Sequence, residues 1–137
     1  MNLEAYRELL PKITDANRPY WEGCLEGELR LQLCGQCGLH RFPDSPLCPG
    51  CLSEDFTWHK VSGRGRVWSW IIMHQRYFDA FVDELPYVVV LVELDEGPWM
   101  MSALDGDPAS LRIDLPLEVV FTRVDDDRAV PKFRVAQ

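Results

Sequence analysis

No apolar run in this 137-residue chain approaches the ~20 residues a helix needs to cross a bilayer, so no membrane span is expected. No export signal is expected either. The opening stretch MNLEAYRELLPKITDANRPYW carries acids where a secretory leader carries base followed by an apolar core. A cytoplasmic location is therefore the expectation, and with it a reducing environment in which thiols stay unpaired. Basic residues are scarce. Fourteen Lys and Arg face 22 Asp and Glu, a net charge of −8, and neither the first 60 residues nor the remainder is basic. Neutralised phosphates supply most of the non-specific affinity for nucleic acid, so that partner is not expected. Histidine is scarcer still. His40, His59 and His74 are the only three, and none stands in a motif with a nucleophilic Ser or Cys. There is no glycine-rich phosphate loop ending in Lys-Ser/Thr. The acids gather in turns such as 125–127, which read as solvated turns and not as a paired general acid and base.

What is present is a normal globular balance, 47% hydrophobic and 26% charged, enough for one ordinary domain or two very small ones. Four of the five cysteines fall in CGQCGLHRFPDSPLCPGC, residues 34–51. Two C-x-x-C units on tight turns can aim Cys34, Cys37, Cys48 and Cys51 at one point, and Gly35, Gly38, Pro49 and Gly50 suit such turns. Four thiolates in a tetrahedron favour Zn²⁺, while iron in a tetrathiolate site is not separated from zinc by spacing. A redox C-x-x-C occurs once, at a helix start in a βαβ setting, and this context differs. Four cysteines close the coordination shell, so the metal is expected to be structural, with no open position for water or substrate. Cys24, the fifth, reads as a buried small hydrophobe.

Around the cysteines the texture is mainly β. LEAYRELL places Leu3, Tyr6 and Leu10 on one helical face and Pro11 ends that segment. This first helix is a candidate for docking on a partner. A second helix is expected after Asn17, with Pro19 in its first turn, ending near Gly27. ELRLQLC and DFTWHKV read as strands entering and leaving the double knuckle. Five strand candidates follow, at 65–75, 86–95, 98–104, 115–124 and 130–135, the count of an OB-type barrel, with a sandwich-like sheet as the alternative. The expected division is an N-terminal helical segment at 1–28, a rubredoxin-like zinc ribbon at 29–60 and an OB-type domain at 61–137.

Taken in order, YWEGCLEGEL, the double knuckle with FP between its halves, SGRGRVWSW, PYVVVLVELDEG and LPLEVVF followed by VPKFR resemble the zinc-ribbon plus OB-fold proteins of the domain-of-unknown-function 35 family. The resemblance spans most of residues 19–135. Asp114 is a departure, since the family often carries glycine there. The resemblance implies a non-catalytic accessory subunit of a thiolase-like or other acyl-CoA-processing enzyme, such as a thiolase, steroid side-chain aldolase or hydratase. The nucleophile would then belong to the partner. It also implies that coenzyme A lies close to this chain. Two segments have chemistry suited to such contact. Arg64, Gly65 and Arg66 combine charge with close backbone approach, and Arg76, Tyr77 and Phe78 combine a cation with aromatic faces. The competing reading of the OB portion is a single-stranded nucleic-acid binder using Trp68, Trp70, Tyr77 and Phe78 as stacking platforms, against which the acid excess stands.

Overall fold

The computed structural model describes residues 2–137. Helix α1 (Leu3–Leu9) begins where the Asn2 side-chain oxygen accepts from the Ala5 N–H at 3.2 Å, satisfying one of the free donors of the first turn. Helix α2 (Arg18–Leu25) carries Pro19 at its start and is closed by Gly27 at φ +77°, the left-handed turn that glycine takes without a side-chain clash. Three short strands, β1 (Arg30–Cys34), β2 (His40–Arg41) and β3 (Phe56–Lys60), form an antiparallel sheet in the order β2-β1-β3. The two-residue β2 has no period long enough to be read from sequence.

The larger sheet comprises β4 (Arg64–Met73), β5 (Tyr87–Leu94), β6 (Trp99–Ala103), β7 (Pro116–Arg123) and β8 (Ala129–Val135), ordered β6-β5-β4-β7-β8 with antiparallel neighbours. It curls until its outer strands meet. Leu104 bridges Phe133, and the Asp105 N–H donates to the Phe133 carbonyl oxygen at 2.7 Å. The result is a nearly closed five-stranded barrel, as the strand count predicts.

Strand β5 shows why the sheet closes. Val88, Val90, Val92 and Leu94 are buried, while the alternate residues are only half-covered, so one face is core and the other is the outer wall. Val67, Met100, Leu117 and Phe133 belong to that core, and Leu31 of β1 and Leu29, just before it, enter it as well. Ribbon and barrel therefore share one apolar interior.

The N-terminal segment is pinned at the β7–β8 turn. Arg7 donates to the Val124 carbonyl oxygen, and Arg128 donates to the Pro11 carbonyl oxygen, both at 2.9 Å. Asp125 holds Arg128 in place by accepting from its Nη2 at 2.8 Å and its backbone N–H at 2.6 Å. Burial pushes the Asp125 carboxyl up, but the Arg128 guanidinium and the backbone N–H groups of Asp127 and Arg128 outweigh it and leave the pKa below its ordinary value. A depressed carboxylate pKa contributes stability above the unfolded value and loses it as pH falls through the folded one. Asp125→Asn is thus expected to cost about 1 kcal/mol at pH 7. The difference should shrink as pH falls below the ordinary carboxylate value of about 4, as read by urea melts at pH 7 and in acid. An equal deficit at both would sink this account.

Candidate metal centre and partner-facing surfaces

The metal centre is built from two copies of one turn. In the first, Cys34 ends β1, and the Gly38 N–H returns to the Cys34 carbonyl oxygen at 3.1 Å with Gly38 at φ +75°. In the second, the Leu52 N–H returns to the Cys48 carbonyl oxygen at 2.8 Å with Leu52 at φ +64°. Leu52 takes the place that glycine holds in the first knuckle. Sequence reading points to Gly35, Gly38, Pro49 and Gly50 and misses Leu52, because a leucine carries no sign of a left-handed backbone. A Cβ at Gly35 would displace the exposed Asp55 carboxylate.

The four Sγ atoms lie within 4.8 Å of one another. Cys34 and Cys51 are 3.6 Å apart and Cys37 and Cys48 are 3.5 Å apart, far beyond a disulfide. Zn–S bonds of ~2.3 Å in a tetrahedron place sulfurs roughly 3.8 Å apart, so the cage fits zinc. Backbone N–H groups of Cys37 and Gln36 point at the Cys34 sulfur at 3.5 and 3.4 Å and lower its pKa to about 6. Against the pull of the Ser53 N–H, desolvation and the neighbouring thiols push Cys51 up to about 12. Burial pushes Cys48 up, but the backbone N–H groups of Cys51 and Gly50 outweigh it and leave its pKa below the ordinary thiol value, whereas Cys37 is raised. Four thiolates gathered at one point are a charge load that a bound divalent cation relieves. Cys34 and Cys48 are buried while Cys37 and Cys51 are exposed, which sets the metal at the ribbon's edge. The centre is a structural zinc site.

The fifth cysteine, Cys24, is buried, and burial drives its pKa to about 12. That is an inert thiol in an apolar setting.

The two candidate contact segments are not brought together. Arg64, Gly65 and Arg66 open β4, whereas Arg76, Tyr77 and Phe78 follow its far end, about 30 Å away along the strand. Gly65 is buried, and a Cβ there would lie 2.5 Å from the Glu93 carbonyl oxygen. Its conformation serves the β4–β5 pairing. Arg66 meets Glu93 at 2.9 Å and Asp114 at 3.6 Å, while Arg64 is exposed and has no carboxylate within salt-bridge distance among the described residues. Asp114, the departure from the family's glycine, adopts φ +66°. At the other end Arg76 pairs with Asp79 at 2.6 Å, and Tyr77 and Phe78 are 60% and 50% exposed. In α1, Tyr6 packs edge-on against Phe81 with centroids 5.2 Å apart, and Leu10 packs beside Trp21, Val124 and Val130. Leu3 and Leu9 are the apolar residues of that helix left exposed.

The barrel's outer face carries a surface that residue order does not reveal. Trp68 lies on the outer face, where it stacks on Trp99 with centroids 4.7 Å apart. A bulge between Val67 and Ser69 reverses the alternation beyond it, so that Trp70 packs against the core and Ile71 faces out. Met101 and Ile71 extend the patch at 67% and 58% exposed. Met100, opposite in the alternation, is buried. A contiguous exposed patch of this kind marks an interaction surface. Among the described residues no helix is long and apolar enough to cross a membrane.

Comparison with known proteins agrees with this architecture. A model of the ChsH2 rubredoxin-like zinc ribbon domain matches residues 21–57, and one of the ChsH2 C-terminal OB-fold domain matches residues 58–122. The chain is 35% identical over 127 residues to a probable enoyl-CoA hydratase alpha subunit of Thermomonospora curvata, covering 92% of this chain and 39% of that protein. It therefore spans about two-fifths of that relative's length. It is 38% identical over 96 residues to a DUF35 domain-containing scaffold protein of Methanothermobacter thermautotrophicus, covering 69% of this chain and 71% of that one. Identity to the benzoylsuccinyl-CoA thiolase subunit BbsA of Thauera aromatica is 29% over 125 residues, with 88% and 76% covered. Among solved structures, the chain superimposes on one described as the Ltp2-ChsH2(DUF35) aldolase with TM-score 0.82 and 35% identity, covering 93% of this chain and 100% of that chain.

Proposed function

Since the chain belongs to the ChsH2/DUF35 family of zinc-ribbon and OB-fold proteins, we propose that it is a non-catalytic accessory subunit that binds and organises a thiolase-fold enzyme acting on an acyl-CoA. The observation that carries this reading is the match along 93% of the chain to the structure described as the Ltp2-ChsH2(DUF35) aldolase. The thiolase subunit and the hydratase alpha subunit among its relatives support the same substrate class. Its compartment is the cytoplasm, whose reducing potential keeps four thiols available to zinc. The chain divides by role into the helical segment 1–28, the zinc ribbon 29–60 and the OB domain 61–137.

The mechanism is indirect. Zinc closes the ribbon, the ribbon shares the barrel's core, and the barrel holds its outer face in one shape. Docking that face on the enzyme orders the acyl-CoA channel and reduces the entropy lost in positioning substrate. Trp68, Trp99, Met101 and Ile71 form the docking patch. The stacked indoles are already held in place, so less side-chain freedom is lost on binding. Arg76, Tyr77 and Phe78 supply a cation and two aromatic faces for coenzyme A or the partner's rim. Arg64 and Arg66 offer a second cationic contact, through side chains only, because Gly65 is enclosed. Leu3 of α1 is a further docking point, with Tyr6 and Leu10 securing that helix to the barrel.

Co-expression with the thiolase-fold enzyme encoded nearest to it is the test. The two chains are expected to co-purify and the enzyme's solubility or turnover to rise. If neither changes with any candidate partner, the accessory role is wrong. In the same assay Met101→Asp should abolish co-purification while leaving the melting temperature within a few degrees of the parent, since exposed sites away from special features shift stability by about 0.5 kcal/mol or less.

A further inference from the structure

Arg41 closes β2 and is only 3% exposed. Its Nη1 donates to the Ser45 carbonyl oxygen at 2.8 Å, and its Cζ lies 4.9 Å from the centre of the Phe56 ring. The other two nitrogens, Nε and Nη2, are shielded from solvent and donate to no acceptor among the described residues. They are neighbours on one edge of the planar guanidinium, the fork that grips both oxygens of a carboxylate. A guanidinium stays protonated in proteins, so it cannot escape the cost of burial by losing its charge. Other arginines of this chain do not share the predicament. Arg30, Arg66, Arg76, Arg128 and Arg134 each face a carboxylate.

Arg41 also lines a cleft of 270 Å³ whose walls include Tyr20, Trp21, Leu31, Phe42 and Trp58. Asp44 lines it too, yet it forms no ion pair with Arg41 among the described residues. We propose that this cleft is a binding site for a small organic acid, with a carboxylate seated on the Arg41 Nε and Nη2 fork and an apolar or aromatic body lying against Tyr20, Trp21 and Trp58. One fork of one positive charge, set in apolar walls, matches a monoanionic carboxylate. A phosphate brings further oxygens and charge, for which the cleft offers apolar surface and the Asp44 carboxylate. The fork is closed off from bulk water, so an incoming acid engages it after a wall side chain turns aside. Once engaged, the pair sits in a poorly screened setting where charge-assisted hydrogen bonds are strong. This site is separate from the Trp68–Trp99 patch and does not depend on the accessory role.

Benzoate is the probe, titrated into the zinc-loaded full chain and followed by tryptophan fluorescence and by the NMR signal of the Arg41 Nε–H. Benzyl alcohol, of similar size and neutral, and inorganic phosphate are the comparisons. Benzoate is expected to saturate and to shift the Arg41 Nε–H, with benzyl alcohol and phosphate each at least tenfold weaker. Arg41→Gln should lower benzoate affinity at least tenfold, and Arg41→Lys, which keeps charge but loses the fork, should lower it too. Equal binding of benzoate and benzyl alcohol, equal binding of phosphate, no saturation, or wild-type affinity in Arg41→Lys would each overturn the proposal. Should the Gln variant not fold, the ligand comparison on the unaltered chain together with the Nε–H signal decides.

Discussion

Replacing Cys48 with serine is expected to abolish stoichiometric zinc binding and unfold the ribbon. Cys48 is completely buried, its sulfur lies 3.5 Å from that of Cys37, and the Gly50 N–H points at it from 3.4 Å. A serine hydroxyl at that position stays protonated and is a poor ligand for a site made of soft sulfurs. Structural zinc contributes about 10–16 kcal/mol of apparent binding energy in small zinc domains at neutral pH, as large as the ~5–15 kcal/mol by which typical domains are stable. The damage should spread beyond the ribbon, because Leu31, on the strand that delivers Cys34, and Leu29, just before it, pack into the barrel core. Metal analysis should find one zinc per chain in the parent and none in Cys48→Ser, and circular dichroism should show a lost or strongly lowered melting transition. Chelator should reproduce the effect in the parent. Acidification should as well, because protons compete with zinc for the thiolates and the metal is released as pH falls. One zinc retained at the parent's melting temperature would remove Cys48 from the ligand set.

The second large effect is expected at Gly65. Its substitution by alanine would put a methyl group 2.5 Å from the Glu93 carbonyl oxygen and 2.7 Å from Val92 Cγ1. Gly65 pairs with Leu94 on one side and Leu117 on the other, so β4 is held between two strands and cannot retreat from either. Overpacking against a buried backbone costs about 3 kcal/mol, or roughly a 10 °C fall in melting temperature for a chain of this size. Arg64→Ala, one residue away and exposed, is expected to shift stability by less than about 0.5 kcal/mol. The pair of variants separates the two meanings of the GRGR stretch, backbone packing from the glycines and surface charge from the arginines. A mild Gly65→Ala beside a damaging Arg64→Ala would reverse that assignment.

The site was legible to different depths for physical reasons. The knuckles were readable because each is a local structure, in which two cysteines three residues apart share one turn. The barrel strands were readable from period-two alternation, the pattern that buries Met100 between exposed Trp99 and Met101. The two-residue β2 was invisible, since pairing with β1 and not any intrinsic pattern makes it a strand. Tyr6 and Leu10 pack against one cluster, although α1 ends at Leu9 and Leu10 is extended, and spacing names a face without naming what covers it. Here Phe81, on the 3₁₀ segment Asp79–Glu84, meets Tyr6, and Trp21 with Val124 and Val130 meets Leu10.

Sequence by itself determined the zinc cage, the mainly β architecture and the family, because these rest on short-range spacing and on the order of motifs along one chain. Tertiary structure decided which apolar residues remain on the surface. Alternation distinguishes two faces of a strand but does not say which one the fold covers, and the bulge after Val67, which sends Trp70 inward and Ile71 outward, is a property of paired strands. It also separated the two arginine-bearing segments by the length of β4, and it left Arg41 buried with two of its three guanidinium nitrogens unpaired. Such facts depend on groups far apart in the chain, whose distances only the folded backbone sets.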